Sequence, residues 1–156
     1  MRWRAWRPYL EASLRLEARL DEDLRAHAGL TLIDYHMLLL LVETSERRLR
    51  MSELADRMAF SRSRITYQVN SMAKRGLVVR EPVPDDGRGY RAVLTATGLE
   101  TLRRATPVHI ASVRELFFGT STTMNCLVSN VFSPDYAIVW NATRESPPDD
   151  DLWGLE

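Results

Sequence analysis

Residues 61–68, Ser-Arg-Ser-Arg-Ile-Thr-Tyr-Gln, carry side chains suited to the edges of nucleic-acid bases. Arg62 and Arg64 can each grip guanine with two parallel hydrogen bonds, and Gln68 can do the same with adenine. Ser61, Ser63 and Thr66 are short enough to let a helix come close. At a helix N-terminus, Ser61 and Ser63 can instead hold a phosphate together with the backbone amides. Tyr67 suits either a phosphate or a thymine methyl. Ile65, Val69 and Met72 fall at i, i+4 and i+7, the spacing of one buried helical stripe. A helix from about Arg62 to Arg75 would bury that stripe, present the polar set and stop at Gly76.

Such a helix needs elements that hold it out. Ser52 is placed to cap a short helix before it, with Leu54, Ala55 and Met58 facing inward and Ala59-Phe60-Ser61 as the turn. This is the order of a helix-turn-helix, whose second helix enters the major groove. Leu77-Val78-Val79 and Tyr90–Leu94 predict two strands around a loop punctuated by Pro82, Pro84, Asp85, Asp86, Gly87 and Gly89. The result is a two-stranded hairpin. Asp86-Gly87-Arg88 in that tight loop projects one guanidinium, and Arg91 suits a phosphate. Upstream, residues 8–28 predict a long helix with Pro8 in its first position and Gly29 just past its end. Leu10, Leu14, Leu20 and Leu24 share one face, which Ala12 and Leu16 widen beyond what one small core needs, the pattern of a subunit interface. Thr31 and Asp34 have the spacing of a capping box, and the helix LIDYHMLLLLVE behind them is apolar on nearly all sides, so it should be the central buried one. Arg47, Arg48 and Arg50 read as a connection. Thr95 or Thr97 caps a fifth helix reaching Phe118, with Leu99, Leu102, Val113, Leu116 and Phe117 as apolar positions, and Pro107 should kink or restart it.

The formal net charge is zero, so the global balance points to no polyanion. The distribution does: Arg47–Arg91 holds 11 Lys/Arg against 5 Asp/Glu, a local +6, while residues 119–156 hold 1 Arg against 6 acids, a local −5. A basic block in a neutral chain is the footprint of a nucleic-acid face. The single cysteine, Cys126, excludes an internal disulfide and a site of paired thiolates. His27, His36 and His109 have no cysteine or metal-spaced acid near them in sequence, and no Gly-rich phosphate loop is present, so neither an enzyme nor a cofactor is expected. The longest apolar run, Met37–Val42, is too short to cross a bilayer, and a cytoplasmic protein without a membrane partner is the inference.

The stretch from Met51 to Leu94 and beyond resembles the MarR family of winged helix-turn-helix transcription regulators. The likeness rests on Glu53-Leu54-Ala55, Ser61, Gly76-Leu77-Val78-Val79-Arg80, Asp86-Gly87-Arg88 and Leu94-Thr95-Ala96-Thr97-Gly98. It extends less sharply from about Trp6 to Phe118. The resemblance implies a homodimer on a near-palindromic site in double-stranded DNA, usually repressing transcription. It also implies that Arg88 reaches a minor groove with Asp86 as its support, and that a small aromatic effector can bind between the dimer helices and the winged helix. Trp6, Tyr9, Tyr35 and His36, with Trp3 and His109, could wall such a pocket; the same aromatics packed between helices read equally as core. A winged helix used to bind protein rather than DNA is the alternative.

The fold class expected is therefore mainly α with a small β-hairpin wing, a winged helix-turn-helix flanked by dimerisation helices. Residues 1–30 would form the N-terminal dimerisation helix, 31–96 the DNA-binding region and 97–118 the C-terminal dimerisation helix. Residues 119–156 lose Arg, Leu and helical period together, and read as an atypical, partly disordered tail.

Overall fold

Thr31 opens the central helix as its capping-box spacing predicts. In the computed structural model, which describes residues 3–84 and 86–118 apart from the side chains of 3–5, 86–88, 117 and 118, the Thr31 hydroxyl accepts from the Asp34 N–H at 3.0 Å. The Asp34 carboxylate in turn accepts from the Thr31 N–H at 3.0 Å. The helix so started, α2 (Leu32–Val42), buries Tyr35, Met37, Leu38, Leu39, Leu41 and Val42. Its apolar character on all sides is what a helix surrounded by others requires.

Around it lie α1 (Trp3–Ala28), a short strand β1 (Arg48–Arg50), α3 (Met51–Arg57), α4 (Arg62–Lys74), β2 (Val78–Val83), β3 (Asp86–Leu94) and α5 (Ala96–Val113), whose last turn continues as Arg114–Phe118 with π-helical geometry. Leu24 of α1, Leu54 of α3, Ile65, Val69 and Met72 of α4, Val78 of β2 and Leu102 of α5 are all fully buried in the one core with α2. Gly29 and Gly76 take positive φ, +66° and +73°, and end α1 and α4 as expected. Among the described residues no helix is long and apolar enough to cross a membrane.

Four expectations need correcting. The long first helix begins at Trp3, so Pro8 lies inside it rather than at its first position; five helical residues precede it, and a proline there forgoes the bond that an N–H would make to the Arg4 carbonyl. Helix α3 starts at Met51 on the backbone of Arg50, not on Ser52, because the Glu53 carboxylate accepts from the Arg50 N–H at 2.8 Å. The wing is three-stranded, in the order β1-β3-β2, all antiparallel. Arg48–Arg50, expected to be part of a connection, supply its outer strand, pairing Arg48 with Val93 and Arg50 with Arg91. Both hairpin strands are also longer than predicted, with an irregularity between Pro82 and Val83. Helix α5 continues through Pro107, so the proline does not restart it. The tail expected at 119–156 lies outside the described residues.

Wing and last helix share one joint. The Thr95 hydroxyl caps α5, accepting from the Gly98 N–H at 2.9 Å, and donates toward the carbonyls of Gly76 and Leu77 at 2.6 and 3.0 Å. A Cβ at Gly98 would sit 2.0 Å from the Leu77 carbonyl oxygen and 2.9 Å from a Leu94 methyl. The first contact is with backbone, which cannot swing aside. Further along α5, His109 is buried, with its ring centroid 4.4 Å from that of Tyr35. Its Nδ1 has no hydrogen-bond partner among the described residues, and burial pushes its pKa down from 6.5 to about 4.

Two stability measurements check these points. Gly98→Ala should lower the unfolding free energy in a denaturant titration by at least ~2 kcal/mol through overpacking. His109 is neutral in the fold and protonates readily once unfolded, so its contribution is complete above pH 6.5 and is lost as pH falls toward 4. At about 1.4 kcal/mol for each pKa unit, the loss over that window is about 3 kcal/mol, and His109→Phe should flatten it.

Candidate nucleic-acid interface

Helix α4 projects from the core as the sequence predicts. Ser61 caps it, accepting from the Arg64 N–H at 3.3 Å, and the Ser61 and Ser63 hydroxyls lie 3.1 Å apart. Ile65, Val69 and Met72 are sealed inside. Ser61, Arg62, Ser63, Arg64 and Tyr67 form the exposed face, with Tyr67 75% exposed although it is one of the largest side chains on the helix. Thr66 is half-buried and its hydroxyl donates back to the Arg62 carbonyl at 2.9 Å. The Arg64 guanidinium stacks 3.7 Å above the Phe60 ring. Arg64 thus starts from one preferred orientation rather than from a free chain, since a cation over an aromatic face is held by the ring quadrupole.

Two expected contacts are placed differently. Gln68 is half-buried, and its amide nitrogen donates inward to the Asp34 carboxylate at 2.5 Å. Arg91 donates through Nε and Nη2 to Glu81 at 3.1 and 3.0 Å across the β2–β3 pair, so its charge is partly compensated within the wing. The backbones of Asp86 and Arg88 belong to β3; their side chains lie outside the described ones.

Between α4 and the wing runs an open groove of about 460 Å³ whose cationic walls are Arg50, Arg62 and Arg80, with Ser52, Thr66 and Tyr90 beside them. Arg80 is oriented from two sides: Nη1 donates to the Asn70 side-chain oxygen at 2.8 Å, and its guanidinium lies 4.5 Å over the Tyr90 ring. Sequence reasoning missed Arg50 and Arg80 as lining residues. The strand alternation that turns Arg80 toward the groove was available; the pairing that brings Arg50 there was not, because its partner strand lies some forty residues on. The groove is open and its charged lining is cationic, so it suits an extended anion rather than an enclosed small molecule.

The aromatics proposed for an effector pocket fall in different settings. Trp6 and Tyr9 are exposed on α1, 56% and 65%, with ring centroids 6.0 Å apart. Tyr35 is buried against His109, and His36 is exposed on α2. Among the described residues, no cluster of three or more His, Cys, Asp or Glu has the makings of a metal site.

A helix-turn-helix whose second helix stands beside a three-stranded antiparallel wing, with long helices at both ends, defines a winged helix-turn-helix protein. The profile of the MarR family matches residues 28–89. Two solved MarR family transcriptional regulators from Streptomyces coelicolor are each 38% identical to the chain. For AbsC the match covers 88% of this chain and 93% of that one, with a TM-score of 0.72. For the other, solved in complex with DNA, it covers 95% and 91%, with a TM-score of 0.74. The HTH-type transcriptional regulator YkoM of Bacillus subtilis (strain 168) is 28% identical over 118 residues, 76% of this chain and 70% of its own. The chain belongs to the MarR family of transcriptional regulators.

Proposed function

We propose that the protein is a homodimeric, sequence-specific DNA-binding repressor acting on a near-palindromic operator. The observation that carries this reading is the exposed face of α4, a Ser-capped helix offering Arg62, Ser63, Arg64 and Tyr67 beside a groove walled by Arg50 and Arg80. In this reading Arg62 and Arg64 meet base edges in the major groove. Ser61, Ser63, Thr66 and Tyr67 seat the helix on sugar and phosphate. The groove takes the phosphodiester backbone, and Arg88, supported by Asp86, reaches the adjacent minor groove from the wing. The relative solved with DNA supports the same use of the same fold.

Dimerisation is supported by α1. Its second half is buried through Leu20 and Leu24, whereas Trp6, Tyr9, Leu10 and Leu14 in its first half are 41–65% exposed, and Leu116 after α5 is 38% exposed. Five large apolar side chains at the far ends of two helices that pack on each other form a surface suited to a second copy. Residues 1–30 and 97–118 are then the dimerisation segments and 31–96 the reading unit, with the two copies of α4 held about one DNA turn, ~34 Å, apart.

Gel shifts with the DNA upstream of the protein's own gene test the reading. Arg64→Ala should relax sequence preference, and Arg88→Ala should weaken binding evenly across sequences. A dimer that neutralises roughly 6–10 phosphates should lose ~10³–10⁵ in affinity between 50 and 200 mM salt; a flat salt response would remove DNA from the account. In sedimentation the wild type should run as a dimer and Leu14→Glu should shift it toward monomer. Deleting the gene should raise transcription from a reporter carrying that upstream DNA.

A further inference from the structure

We propose that Asp34 is the positioning residue of the reading helix, and that Gln68 acts through Asp34 rather than by touching a base. The inference rests on the DNA-binding reading above and assigns a role to residues that lie off the exposed face of α4.

Asp34 is 1% exposed, yet three donors from separate parts of the chain meet its two oxygens. Oδ2 accepts from the Thr31 N–H at 3.0 Å and from Arg75 Nη2 at 2.8 Å. Oδ1 accepts from Gln68 Nε2 at 2.5 Å. Arg75 completes the arrangement by donating through Nη1 to the Gly29 carbonyl at 3.2 Å. Helix α4 is thus gripped at Gln68 and again at Arg75, two turns and ~10 Å apart along its axis. Both grips close on the first turn of α2 through Asp34, and Arg75 also reaches the Gly29 carbonyl just before it. That turn is fixed to α1 by a further carboxylate: Asp21 accepts from the Leu32 N–H at 2.8 Å and from Arg25 Nε at 2.5 Å.

Two grips on a rod set its tilt and its axial position; one sets neither. Because α1 carries the proposed dimer surface, the tilt of α4 against the α1–α2 turn becomes the distance and angle between the two reading helices of a dimer. A buried carboxylate suits this task, since leaving any of its oxygens unmet is expensive and the alternatives to the observed geometry are correspondingly poor. The same geometry argues against direct reading by Gln68. A two-point contact with adenine uses the amide nitrogen and oxygen together at a base edge, and here the nitrogen is turned into the protein.

The test is a double-mutant cycle on the full chain, using a duplex that the wild type selects from a random pool, its single-base variants and an unrelated duplex. Gln68→Ala and Asp34→Asn should each weaken binding to the selected duplex, on the order of ten-fold, and the double variant should be no worse than Asp34→Asn alone, as expected for two members of one network. Preference at each base should keep its rank, and affinity for the unrelated duplex should hold, since no phosphate contact is removed. A purely stabilising role would lower the melting temperature and leave the ratio of selected to unrelated binding unchanged, which would overturn the proposal. Loss of preference at one base step in Gln68→Ala, undiminished in the Asp34→Asn background, would overturn it in favour of direct reading. Should Asp34→Asn fail to fold, Gln68→Ala with Arg75→Ala forms the equivalent cycle, with the same non-additivity expected. A wild type that selects no duplex overturns the DNA-binding reading itself, whereas one that selects a duplex while the two substitutions add independently overturns only the positioning role.

Discussion

Taking a carboxylate out of water costs several kcal/mol unless donors replace the water on both oxygens. Asp34 meets that requirement by drawing on the start of its own helix, the middle of α4 and the residue just beyond α4. The arrangement of the reading helix follows from satisfying this one group. The apolar stripe of Ile65, Val69 and Met72 makes α4 pack, but apolar contact is non-directional and would accept several tilts. Hydrogen bonds of fixed length select one.

How much of this was legible depends on how far apart the partners lie in sequence. The Thr31–Asp34 capping box, the Ser61 cap, the stop at Gly76 and the buried stripe of α4 are local, and composition and spacing reveal them. Gln68 looked like a base reader because its type suits adenine; its actual partner lies 34 residues upstream, where no local pattern points to it. Arg91 looked like a phosphate ligand for the same reason, and Glu81 meets it only once β2 and β3 pair. The strand β1 is three residues long, too short to show alternation, and exists because β3 offers it an edge. At α3 the local signal is double: Ser52 offers a capping hydroxyl, and Glu53 stands three residues after Arg50, the spacing of a reciprocal acid, which is the cap the fold uses.

The basic block is less basic in space than in sequence. Within Arg47–Arg91 the count is 11 cations against 5 acids, +6. Among the described residues, acids from outside that stretch fold onto it: Glu46 pairs with Arg48, which holds the Glu46 carboxyl below its usual range, and Asp34 pairs with Arg75. The reduction is selective. It falls on cations away from the exposed face of α4, and Arg62 and Arg64 stay at the helix start, where the dipole already favours anions. Charge is thereby concentrated rather than spread, which sharpens the local field more than the total suggests.

The close approach of Gly98 to the Leu77 carbonyl limits how a protein of this design can diverge. A helix that begins against the backbone of the wing with no room for a methyl group cannot drift along it as side chains are exchanged over generations. In the proposed dimer, a different spacing between the two reading helices would have to come from the length, bend or partner face of the terminal helices. The joint between wing and last helix is, in that sense, a fixed point of the fold, and adjustment has to be looked for at the ends farthest from it.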